Sequence, residues 1–346
     1  MNLSTKKVYF LSTAIALVLA AMLSVFRSLL LLDGYSPELG HFEEGFAADL
    51  FLPLTFVLAI VISIGFGILF RSSLTNRALK PSLPTVFASG LTALALAVWL
   101  VTLLWNVVNG KAPVGSQKVI TVLITVFAVL AALYFISTAI NGVQKSITVL
   151  LCCATSVFCV LYPLFAYFDQ AFTLNSPIKI FDQITFLLLA IFFLVENRFR
   201  FGKISDAVFL PVGMIAVVFT AANAVPGLIY AAKAGEALVV NVMHDFLSFA
   251  FCLYVIARML SFPLADDEQE KQDAFAEELS RVSDAPYEID NDTHIVENDP
   301  RQETFHFDEE EAKDTTPAPA EEIIPPAEEI VTNAQTTLEF DRKKHS

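Results

Sequence analysis

Residues 8–32 read VYFLSTAIALVLAAMLSVFRSLLLL, an unbroken apolar run in which Arg27 is the single charge. A helix rises ~1.5 Å per residue and the hydrocarbon core of a bilayer is ~30 Å thick, so about 20 apolar residues cross it. Lys6 and Lys7 precede the run, and Ala20-Ala21 resembles a signal-peptide cleavage site. The apolar part of a signal peptide is only ~7–15 residues long, whereas this run continues to Leu32. It reads as a first membrane span that is not removed.

Seven further runs of spanning length follow, at 49–70, 85–107, 118–140, 146–168, 178–196, 206–230 and 236–262. Asp182 interrupts the start of the sixth, and the eighth is long enough to tilt. The expected fold is an all-α integral membrane protein: a bundle of about eight transmembrane helices over residues 1–264, then a disordered acidic tail over 265–346. Charge divides at the same place. Residues 1–264 hold 15 basic and 11 acidic residues, and residues 265–346 hold 7 and 25. The first part is too apolar for water, and the second has too little apolar content for a core. A soluble globular enzyme is excluded. No basic patch is large enough to neutralise a nucleic-acid backbone.

Orientation follows from Lys and Arg near the span ends. Lys6, Lys7, Arg71, Arg77, Lys80, Lys145, Arg198, Arg200, Lys203 and Arg258 fall on one side, ten in all. Lys111, Lys118, Lys179, Lys233 and Arg27 make five on the other. The richer side is expected to be cytoplasmic, placing both termini inside a plasma membrane. The first outer loop agrees, with Asp33, Glu38, Glu43, Glu44 and Asp49.

Chemistry-bearing residues are few. Cys152, Cys153, Cys159 and Cys252 all fall within spans, so no exported disulfide framework is suggested, and they read as packing residues. Ala59, Ser63 and Gly67 form a small-residue stripe suited to close helix approach. In the eighth span Asn241, His244, Asp245, Ser248 and Cys252 fall on one helix face. Counted from residue 236, Asp245 lies about 13 Å below the outer boundary, where an ionised carboxylate costs ~2.5–3.5 kcal/mol. It is therefore expected to face the bundle interior, paired or protonated. Asn223 lies at similar depth in the seventh span, and Pro226 frees the backbone carbonyl of Ala222, which a neighbour must satisfy. Arg27 is the natural candidate partner for Asp245, with Ser24 and Ser28 on its face. The candidate intramembrane polar site is thus Asn241, His244, Asp245, Ser248, Asn223 and Arg27.

No His-Glu-x-x-His, Gly-x-Ser-x-Gly or phosphate-loop motif is present, and no cofactor or metal pattern. Intramembrane aspartyl proteolysis needs two deep Asp residues, and Asp245 stands alone at its depth. Glu43-Glu44 sits in a loop and lacks the Arg that an acidic intramembrane protease motif would need. A weak echo at offset 121–122 links Thr75-Asn76-Arg77 with Glu196-Asn197-Arg198 and Lys111-Ala112 with Lys233-Ala234. It raises a four-plus-four duplication, a pattern some transporters show.

The tail repeats itself: Pro319-Ala320-Glu321-Glu322-Ile323-Ile324 returns as Pro326-Ala327-Glu328-Glu329-Ile330-Val331. Glu321, Glu322, Ile323, Glu328, Glu329 and Ile330 are candidate docking residues for a basic cytosolic protein, bivalent by repetition. Arg342-Lys343-Lys344 could touch anionic lipid at ~1 kcal/mol per charge. Three functions are expected in order. The first is a membrane scaffold or regulator whose tail recruits a partner. The alternative is a small-solute or ion transporter using the polar face of the eighth span, and an intramembrane enzyme comes last.

Overall fold

A computed structural model describes residues 5–36, 41–42, 47–74, 82–109, 116–141, 146–168, 177–201, 205–234 and 242–261. The candidate docking residues of the tail, and Asn241, lie outside the described residues. Eight helices long and apolar enough to cross a membrane account for nearly all of what is described. They are α1 (Thr5–Asp33), α2 (Ala47–Leu69), α3 (Leu83–Val108), α4 (Ser116–Asn141), α5 (Ser146–Tyr167), α6 (Pro177–Arg200), α7 (Asp206–Ala234) and α8 (Val242–Ser261). Between α1 and α2, two-residue strands β1 (Tyr35–Ser36) and β2 (His41–Phe42) pair antiparallel. The bounds match the apolar runs closely because length and hydropathy alone set where a helix must satisfy its own backbone. Helix α1 runs unbroken through Ala20-Ala21, and Ala20 is buried.

Helices α7 and α8 form the centre. Burial covers 72% of the most apolar stretch of α7 and only 22% of that of α2. Helices α1, α2 and α6 all pack along α7. Helix α8 is tied to α3 by Thr92 Oγ1, which donates to the Ala250 carbonyl at 3.1 Å, and by Thr85 Oγ1 to Ala257 at 3.3 Å. Its Phe251 ring packs among Phe135 of α4, Phe158 of α5, and Phe186 and Phe193 of α6. Among the described residues α8 exposes no large apolar side chain. The outer helices expose many, including Val18, Val57, Phe87, Val101, Val122 and Leu150. In water that girdle would drive aggregation, while in lipid it is the solvated surface.

The small-residue stripe does what its shape suggests. Gly67 lies against Pro211 and the Ala207 carbonyl of α7, where a Cβ would overlap both. Ser63 is buried and returns its hydroxyl to the Ala59 carbonyl at 2.7 Å. Ser28 does the same, donating to the backbone carbonyl of Ser24 at 2.7 Å, so its hydroxyl is satisfied within α1. Cys152, Cys159 and Cys252 are buried, Cys153 is exposed, and all four thiols are free. Among the described residues α2 and α6, which a four-plus-four duplication would make equivalent, pack differently. Helix α6 packs along α7, whereas α2 makes its extensive contacts with α1 and α7 and not with α3.

Candidate functional site

For convenience the end of the bundle where α1 begins and α8 finishes is called inner, after the expected orientation. In the outer half, Pro226 has no N–H to give the carbonyl four residues back, so the Ala222 oxygen is released from the ladder of α7. Arg27 of α1 supplies the missing donor. Its Nη1 donates to the Ala222 carbonyl at 2.9 Å and to Asn223 Oδ1 at 2.8 Å. The guanidinium lies 3.8 Å over the Phe181 ring of α6, a close cation–π contact. Asn223 Nδ2 then donates to Ser248 Oγ of α8 at 3.3 Å. One chain of hydrogen bonds thus joins α1, α7 and α8. Arg27, Asn223 and Ser248 are all buried.

Asp245 borders this chain. Gly227 stands one turn beyond Asn223, and a Cβ there would run into the Asp245 carboxylate. The carboxylate therefore packs on bare α7 backbone. Arg27 and Asp182 are both within its electrostatic reach. The expected Arg27–Asp245 ion pair is not formed among the described residues, because the two backbone and amide acceptors on α7 hold the guanidinium instead. Helix α8 is described from Val242, which puts Asp245 in its first described turn, and the depth counted from residue 236 rests on residues outside the described ones.

The polar face of the eighth span is divided. Ser248 and Cys252 meet α7, where Cys252 Sγ lies 3.8 Å from the Val217 carbonyl. His244 turns the other way, towards α3 and α5. Its Nδ1 accepts from Trp99 Nε1 at 3.2 Å and is also hydrogen-bonded to Tyr162. Indole N–H can only donate, so Nδ1 is the acceptor in the Trp99 contact. Residues one apart on a helix point about 100° apart, which separates His244 from Asp245.

A second polar cluster lies near the inner end. Glu196 Oε1 accepts from Arg258 Nε at 2.7 Å, Arg200 Nη2 at 2.9 Å, Tyr254 OH at 2.9 Å and Tyr134 OH at 3.0 Å. Arg200 Nη2 also donates to Tyr134 OH at 2.6 Å, and the two tyrosine hydroxyls meet at 2.8 Å. Glu196 is wholly buried, and so are both guanidinium groups that pair with it. The sequence reading missed this cluster. It assigned Arg200 and Arg258 to the inner loop charges, although Glu196 and Arg200 are spaced i,i+4, the spacing of a helical ion pair. With both removed, eight inner charges remain. On the outer side Arg27 and Lys179 are buried too, leaving Lys111, Lys118 and Lys233. The bias survives.

Among the described residues no three His, Cys, Asp or Glu side chains gather as a metal site. No protein-family model, characterised protein or solved structure matches the chain.

Proposed function

We propose that this chain is a membrane carrier for a small solute or ion, with Arg27, Asn223, Ser248 and Asp245 forming its site. The observation that carries this reading is Asp245. It accepts no hydrogen bond among the described residues, yet it packs on α7 beside Arg27 and within reach of Asp182. Ionisable groups inside a membrane are expensive to keep, and function is the default explanation for one without a structural partner. The Asp245 carboxylate on bare α7 backbone is the acceptor that a cationic solute or a cation would meet. The acidic tail would then regulate, and partner recruitment keeps only its compositional support. In the same reading the protein is not an enzyme and lies in a plasma membrane with both termini cytoplasmic.

Flux into proteoliposomes tests it, with H+, Na+ and a panel of small amines as the transported species. Wild type should exceed empty vesicles for at least one, and Asp245→Asn should return that flux to background. Equal flux in wild type and Asp245→Asn would sink the assignment.

A further inference from the structure

Helices α6 and α8 each carry charged residues in both polar clusters. Asp182 and Asp245 lie at the outer cluster, and Glu196 and Arg258 lie 14 and 13 residues further on, at the inner one. We infer that Glu196, Arg200 and Arg258, with Tyr134 and Tyr254, form a breakable gate that holds α4, α6 and α8 together at the inner end of the bundle.

The hydrogen bonding is that of a contact built to release. Four donors converge on Oε1 of Glu196, while Oε2 is buried with no partner. Each tyrosine has one hydroxyl proton, so two protons serve three short contacts: Tyr134 with Glu196, Tyr254 with Glu196, and Tyr134 with Tyr254. A fixed structural network satisfies its acceptors, and a half-satisfied one is worse than apolar packing. The neighbourhood could have been apolar, since Phe135 and Phe193 pack directly on Tyr134 and Tyr254. Buried ion clusters add little stability over such packing, and their best-attested use is to select one arrangement over another. Because α6 and α8 run from one cluster to the other, a ligand that shifts them at the outer end bears on the gate. What opening serves rests on the transport reading, but opening itself does not.

Two native thiols report on it. Cys152 and Cys159 are both fully buried on one face of α5, seven residues apart. Cys152 borders the gate, with Sγ 3.6 Å from the Phe193 carbonyl and Glu196, Arg200 and Arg258 in electrostatic range. Cys159 is two turns further along α5. The full chain in lipid nanodiscs is treated with a charged, membrane-impermeant maleimide, and alkylation at each cysteine is followed by peptide mass spectrometry. Each rate is normalised to the same site in denaturant. A gate that opens locally labels Cys152 at least ~10-fold faster than Cys159, since local openings are far more frequent than global unfolding. A smaller ratio means that both thiols are reached only through unfolding and overturns the gate. Tyr254→Phe removes one donor without changing charge and should raise the Cys152 rate severalfold, and an unchanged rate also overturns it. Flux without fast Cys152 labelling would leave the carrier without this gate. Fast labelling without flux would leave the gate without that carrier.

Discussion

Arg27 Nη1 donates at 2.9 Å to the carbonyl of Ala222, the oxygen that Pro226 deprives of its place in the helix ladder. The proline and the arginine are therefore one feature. A buried carbonyl without a donor is costly in lipid, and here a side chain from a different span provides one.

The pair predicts a double-mutant outcome. Arg27→Met should lose ~1–3 kcal/mol, the cost of leaving a buried polar group unsatisfied. Pro226→Ala restores the N–H that α7 lacks at that turn. Arg27→Met with Pro226→Ala should therefore cost less than the sum of the single changes. Additive shifts in thermal melting would show that Arg27 is not the donor that Ala222 needs.

Asp245→Asn should barely change stability, because the carboxylate accepts no hydrogen bond among the described residues. Arg27 and Asn223 should be coupled more strongly than Arg27 and Asp245, following the 2.8 Å bond between them. Melting of the three single and two double variants decides it. A larger Arg27–Asp245 coupling would mean that a direct ion pair forms in the membrane.

Glycines give a graded series. Gly67→Ala would place a Cβ against Pro211 and the Ala207 carbonyl, and backbone cannot yield, so ~1–3 kcal/mol should be lost. Gly65→Ala meets nothing within 4 Å and should be neutral or gain up to ~1 kcal/mol in helix propensity. Gly227→Ala would displace the Asp245 carboxylate, the movable end of a side chain, so flux should fall more than stability. Equal melting of Gly65→Ala and Gly67→Ala would contradict the α2–α7 packing.

Glu196→Leu leaves Arg200 and Arg258 buried and facing each other, and should cost ~3–5 kcal/mol. Glu196→Leu combined with Arg258→Met should recover part of that loss. Unfolding in mixed detergent is the measurement, and no recovery in the double variant would remove the ion cluster from the stability account.

Topology is checked with fused reporters. Fusions after Lys80, Lys203 and Leu264 should report a cytoplasmic location, and those after Pro37 and Lys111 an external one. An external C-terminal fusion would require an odd number of spans.

The eight long apolar helices were legible in the sequence because each is a local property. About 20 apolar residues must form a helix in hydrocarbon whatever their neighbours, since no other backbone arrangement satisfies itself there. The liberated Ala222 carbonyl was legible for the same reason, being fixed by Pro226 in its own helix. Which residue would answer it was not. Arg27 was matched by depth to Asp245, and only the rotation of α1 against α7 gave it to Ala222 and Asn223. Glu196, Arg200 and Arg258 read as the end of a span and loop charges until α6 and α8 were side by side. The physical reason is that lipid is as apolar as the protein core. A span's outer and inner faces therefore carry similar residues, and its sequence holds no strong record of which side meets which neighbour. Length and hydropathy place the helices; helix order and rotation decide which polar groups meet.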